Sequence, residues 1–335
     1  MIIKKIFNYL LITTLFIVIL PLISSGQSTP AGNSLAVSMV PINPEPGQNV
    51  KITLSSFSYD LDRSKITWII NGVTKKTEIG LKEFNTSAGN NGQKTTVKVS
   101  VETPTAGIQE VEAFFIPSLV DLIYEASSYT PPFYKGKSLN PSQGMVRIIA
   151  MPELIRPTGE KIPAQNVIYQ WKKDGEAYQS ASGLGKNTFT FSGTIPIRDV
   201  EIEVIASSLA GDIYASKKLT IVNNSPKIIF YEDNPLYGIM FNRAIGNVVH
   251  MTEDEFKVKA FPYYMGVGYT GSPDLNYNWT INNALSENLD TDKTAMIFRQ
   301  ESSGAGTASI SLKIENLVKI FQFATNSFTL NFEKQ

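Results

Sequence analysis

Short runs in which apolar and polar residues alternate with period two recur along most of the chain. The first is Val50-Lys51-Ile52-Thr53-Leu54, followed by Ile66/Trp68/Ile70, Val97/Val99/Val101 and Val111/Ala113/Phe115. The same alternation returns at Val146–Ala150, Trp171, Phe189/Phe191 and Val200/Ile202/Val204. It returns again at Phe256–Ala260, Trp279, Ile297/Phe298 and Ile310/Leu312/Ile314. Period two places all the apolar side chains of a strand on one face, so each run predicts a strand with one side buried. Turn-forming groups interrupt the runs, among them Pro44–Gly47, Gly89–Gly92, Thr103–Gly107 and Ser207–Gly211. Short strands with turns every ten or so residues predict β-sandwiches.

The pattern repeats at domain length. Trp68, Trp171 and Trp279 are 103 and 108 residues apart. Each is followed at +3/+4 by a turn pair, Asn71-Gly72, Asp174-Gly175 and Asn282-Asn283, and about thirty residues later by a strictly alternating strand. A chain of 335 residues is long enough for two or three domains, and the tryptophan spacing selects three. The expected division is residues 34–117, 118–224 and 225–335. The second and third units are the more alike. Both open on an apolar-Tyr-Glu start, Ile123-Tyr124-Glu125 and Phe230-Tyr231-Glu232. A Pro/Tyr-rich insert follows in each, Tyr129–Gly136 and Pro235–Gly238, and then a strand ending in Ala-x-Pro, Ala150-Met151-Pro152 and Ala260-Phe261-Pro262. The final hairpin of the third unit, near Asn316 and running over Val318–Phe332, has no glycine at its turn.

The first 26 residues depart from alternation. Lys4 and Lys5 precede an apolar stretch over residues 6–23, and Pro21 with Ser24-Ser25-Gly26 follows. That is the layout of a signal peptide cleaved after Gly26, the alternative being an uncleaved anchor. In either case the rest of the chain is exported, and membrane contact runs only through residues 6–23 if the segment is retained. Residues 27–33 read as a flexible leader. Lys and Arg total 30, as do Asp and Glu, which gives no basic stripe and no electrostatic reason to bind nucleic acid. The chain has no cysteine and a single histidine, His250. That excludes disulfides, thiolate zinc sites and cysteine nucleophiles, and most Ser-His-Asp chemistry.

A Trp on a central strand, an Asn/Asp-Gly hairpin just after it and an alternating strand some thirty residues on together resemble the immunoglobulin-like superfamily. The similarity is to its disulfide-free bacterial members, the PKD-like and other Ig-like repeats of exported surface proteins. The first unit, with Tyr59-Asp60-Leu61-Asp62 ahead of Ile66-Thr67-Trp68, looks the most PKD-like. The resemblance implies three tandem Ig-like β-sandwiches after the signal. It names no ligand, because Ig-like folds serve many functions.

No residue set amounts to a catalytic, metal or cofactor site, and the expectation is a non-enzymatic envelope or surface protein. Trp68, Trp171 and Trp279 are core markers rather than sugar platforms, since they occupy one central-strand position three times. The insert aromatics Tyr124, Tyr129, Phe133, Tyr134, Tyr231 and Tyr237 are the candidate binding or junction residues. Exposed, they would suit a glycan; buried, they would pack one unit against the next. The partner is accordingly an envelope protein or a glycan. Asp60/Asp62 and Asp290/Asp292 offer two acids each, short of the six to eight oxygens calcium takes, and read as solvated turn acids. His250, ahead of Glu253-Asp254-Glu255, reads as a loop histidine without a role. Two carboxylates across a cleft would leave open only a hydrolase.

Overall fold

The computed structural model describes residues 35–132, 134–193, 195–286, 292–300 and 304–332; the segments 1–26 and 27–33 lie outside them. The described chain is all-β, and its hydrophobic residues form three separate cores. The first unit contains β1 (Leu35–Val40), β2 (Asn49–Ser56), β3 (Lys65–Ile70), β4 (Val73–Ile79), β5 (Glu83–Ser87), β6 (Thr95–Thr103) and β7 (Gly107–Phe115). They form one sheet in the order β1-β2-β5 and another in the order β4-β3-β6-β7. The second unit repeats this arrangement with β8 (Leu119–Ala126), β9 (Met145–Glu153), β10 (Ile168–Lys173), β11 (Glu176–Ala177), β12 (Gly183–Leu184), β13 (Thr188–Ser192), β14 (Val200–Ser207) and β15 (Tyr214–Ile221). Its sheets are β13-β9-β8 and β11-β10-β14-β15, with β12 on β10.

The third unit contains β16 (Lys227–Asn234), β17 (Gly238–Ala244), β18 (Val248–Met251), β19 (Glu255–Tyr263), β20 (Leu275–Ile281), β21 (Ala284–Leu285), β22 (Ala295–Arg299), β23 (Gly306–Asn316) and β24 (Phe323–Phe332). Here the insert between the first two strands of the common pattern has itself become strands. β17 adds to the edge of β16, and β18 crosses to the other sheet to pair parallel with β24. His250 therefore lies on a strand rather than in a loop. The final hairpin also differs from expectation: β24 begins at Phe323, so Val318 to Gln322 belong to the connection.

Each core is organised around its tryptophan. Trp68, Trp171 and Trp279 are at most 1% exposed, and each packs on an aromatic ring of the facing sheet: Phe84 at 5.6 Å and Phe189 at 5.6 Å stacked, Phe230 at 5.7 Å tilted, between centroids. A buried indole N–H needs an acceptor. In all three units it donates to the carbonyl of a connecting segment, Leu81 at 2.9 Å, Lys186 at 2.9 Å and Lys293 at 3.2 Å. The turn pairs after the tryptophans all have positive φ at both positions, 51° and 78°, 52° and 84°, 49° and 68°, the hairpin geometry that matches strand twist. The first residue of each pair does more than turn. Asn71, Asp174 and Asn282 each accept through Oδ1 the N–H of Thr96, Glu201 and Ser309, at 2.9, 3.1 and 2.9 Å, on the neighbouring strand.

The first two units meet closely at Asn91 and Gly92. Asn91 Nδ2 of the first unit donates to Glu153 O of the second at 3.1 Å. Gly92 has φ +79°, and a Cβ there would lie 2.8 Å from Ile155. Only glycine fits that approach.

Candidate functional site

The two inserts carry most of the candidate residues, and the structure treats them differently. In the second unit the insert leaves β8 after eight residues of strand. At about 3.3 Å per residue that carries it to the opposite end of the sandwich. Tyr129 and Tyr134 therefore reach the third unit, not the first, although they are early in the second unit's sequence. The Tyr129 ring stacks on Phe261 at 6.5 Å, and its backbone N–H donates to Met265 O at 2.9 Å. Tyr134 packs edge-on against Tyr263 at 6.4 Å. The Tyr263 hydroxyl is 3.1 Å from that of Tyr231, which is itself buried between Phe241 and Phe261 at 5.3 and 5.6 Å. Burial pushes the Tyr129 phenol up to about 12. Burial and then the Tyr231 hydrogen bond push Tyr263 up as well.

A polar clasp lies beside these rings. The Gln322 side chain is fully buried. Its Nε2 donates to Ser142 O of the second unit, and its Oε1 accepts from Gly266 N at 2.8 Å and Asn316 Nδ2 at 3.0 Å. The neighbouring Phe321 N–H donates to Gln143 Oε1 at 3.2 Å. Sequence reasoning passes over Gln322; its one signal is a neutral amide within the otherwise apolar stretch Ile320–Phe323. Of the remaining candidates, Tyr124 is half-buried on β8 with Lys137 Nζ 3.5 Å above its ring, away from the junction. Phe133 and Asp290 lie outside the described residues.

In the third unit the equivalent insert packs against no other unit among the described residues. Its hairpin tip projects, with Leu236 85% and Tyr237 77% exposed. Asn234 Oδ1 accepts the N–H groups of both, at 3.0 and 3.2 Å, and so fixes the tip. Behind the tip is a cleft of about 720 Å³, bounded by the end of β16, by β17 and β18 and by the start of β19. A bulge shapes it. β17 pairs Tyr231 with Ala244 but Asp233 with Ile239, so four residues of β17 face the single Glu232. Phe241 turns onto the Tyr231 and Phe261 rings, while Met240, Asn242 and Arg243 line the cleft.

Four carboxylates line it too, and three are held by neighbours. Asp233 pairs with Lys257 at 3.1 Å, Glu255 with Arg299 at 2.7 Å, and Glu232 accepts from Asn234 Nδ2 at 2.8 Å. Asp60 and Asp62 pair with Arg63 at 3.6 Å and Lys82 at 3.0 Å. Asp292 pairs with Lys259 at 3.0 Å and accepts from the Thr294 hydroxyl at 2.6 Å. Among the described residues no group of three or more His, Cys, Asp or Glu is placed to hold a metal ion, and no helix is long and apolar enough to cross a membrane.

No family model matches the sequence, and no curated protein matches it. Solved structures similar in architecture include fibronectin(III)-like modules of Clostridium thermocellum CbhA, at 13% identity over 56% of this chain and 94% of that one, with a TM-score of 0.28. Another is the set of three N-terminal domains of the highly immunogenic outer capsid protein of bacteriophage RB49, at 14% identity over 90% and 98%, TM-score 0.25. A third is SGBP-B of Bacteroides ovatus, solved in complex with a mixed-linkage heptasaccharide, at 13% identity over 89% and 70%, TM-score 0.22. At such scores the likeness carries no argument; it is the strand orders above that make the chain a series of β-sandwiches with Ig-like topology.

Proposed function

We propose that the chain is an exported, non-catalytic protein of the cell envelope or surface: a short rod of Ig-like units that holds a partner away from its point of attachment. The observation that carries this reading is the junction between the second and third units. There, an insert that could have formed a loose loop is packed ring on ring and clasped through the buried Gln322. Such a junction fixes one unit on the next, which a spacer needs and a linker between independent modules does not. The held carboxylates of the cleft and the absence of an assembled nucleophile among the described residues support a binding rather than a catalytic role. The apolar, Lys-led segment over residues 6–23 supports export.

The test is Tyr129→Ala. Losing the Tyr129 ring at a packed junction costs about 1.4 kcal/mol, which makes local opening about tenfold more frequent. Limited proteolysis near residues 223–226 should then be about tenfold faster than in the parent chain, since cleavage tracks local opening. Equal rates would remove the basis for a stiff junction.

A further inference from the structure

The cleft of the third unit is a departure from its own duplicate. β9 and β19 are equivalent strands, each ending in Ala-x-Pro, and Met145 and Glu255 begin them. Counting back from those starts, Ser142 and Gln143 correspond to Thr252 and Glu253. The pairing partners agree: Pro141 bridges in parallel to Asn224 as Met251 does to Phe332. In the second unit the base of the insert is closed by its own serines, with Ser128 N donating to Ser138 Oγ at 3.2 Å and Ser128 Oγ to Leu139 O at 2.7 Å. Ser142 and Gln143 are then covered by the third unit. In the third unit no such closure is formed among the described residues, and Thr252 and Glu253 line the cleft.

We infer that this cleft, lined at Asn234 and Pro235 by the hairpin that carries the exposed Tyr237, binds a neutral oligosaccharide. The inference rests on the reading of the chain as a binding protein and names its ligand class. The volume falls in the range of small-ligand sites, but the lining is mostly polar, with donors and acceptors interspersed: Asn234, Asn242, Arg243, His250, Thr252 and Glu253. Hydroxyl groups both donate and accept, so a polyol matches a mixed lining better than an apolar ligand does. Four carboxylates against Arg243 and Lys257 disfavour a polyanion. The four-residue bulge spoils the free edge of β17 for an added peptide strand, which separates a sugar from an extended peptide. Tyr237, whose backbone N–H is accepted by Asn234 Oδ1, adds an exposed ring, a flat apolar face for the C–H side of a sugar.

The experiment is affinity electrophoresis of the full exported chain in native gels containing a β-glucan, a xylan, a galactomannan or an α-glucan, with polygalacturonate as the anionic control. Retardation by at least one neutral polymer is expected, weakened about tenfold or more in Kd by Tyr237→Ala and by Glu253→Gln. Thermal unfolding of both exposed-site variants should match the parent. Unchanged mobility in every neutral gel overturns the sugar site, as does retardation that both variants retain or that only polygalacturonate produces. A chain that binds no gel but keeps its protease-resistant junction loses the sugar site and leaves the rod standing. New reducing ends in a gel polymer would instead overturn the non-catalytic reading.

Discussion

At the three tryptophans and the turn pairs that follow them, the decisive forces are local. The tryptophans announce themselves by size and spacing, and the turn pairs by the left-handed backbone they must adopt. The third turn tests that account at neighbouring positions. Asn282 and Asn283 both have positive φ, but Asn282 Oδ1 accepts the Ser309 N–H, while Asn283 makes no side-chain hydrogen bond among the described residues. Asn283→Gly should relieve strain and raise the melting temperature of the third unit by about 2–4 °C, equivalent to about 0.5 kcal/mol. Asn282→Gly should lower it by a similar or larger amount, because the capping bond is lost. Differential scanning calorimetry gives both signs; two shifts in the same direction would refute the division of labour. Gln322 shows the limit of local reading. Nothing in its neighbours in sequence says that an amide in an apolar loop will be wholly buried against another unit.

At the scale of elements, the strands that face a core were readable and those that do not were hidden. β4 is exposed along its whole length and β17 is bulged, so neither shows a buried-face alternation. The direction in which the second unit's insert points depends on how long β8 runs before it, a property of the strand rather than of the tyrosines. The junction this creates has a pH signature. Burial raises the phenols of Tyr129, to about 12, and of Tyr263 and Tyr277 above the ordinary value of 10.0. A raised folded-state value means the proton is held more tightly in the folded form. The stabilisation is complete below pH 10 and is lost as pH rises through about 12. The second–third junction should therefore open in that window, followed by ultraviolet absorbance of the phenolate alongside proteolysis near residues 223–226. Tyr129→Phe keeps the ring without the titrating hydroxyl and should move the opening to higher pH; an unchanged midpoint would show that Tyr129 does not govern it.

For the whole molecule, tandem organisation was visible in the sequence as a repeat, whereas the difference between the last two units was not. Both carry a comparable insert, but the second unit's is packed into a joint while the third's stands as an open hairpin with a cleft. The same difference bears on how the chain carries load. β18 runs parallel to β24 through four residue pairs, Val248–Thr329 to Met251–Phe332, where the second unit has the single bridge Pro141–Asn224. Tension on the two ends of a sandwich pulls its first and last strands in opposite directions. Once β16 and β17 are drawn out, the load falls on β18, and its parallel hydrogen bonds to the last strand are sheared together rather than unzipped one at a time. The third unit should accordingly resist stretching better than the second. In single-molecule pulling, Val249→Pro, which interrupts that ladder, should move the highest rupture event to lower force and leave the others in place. A tether built this way would yield in its second unit before its third, leaving the cleft folded around whatever it grips.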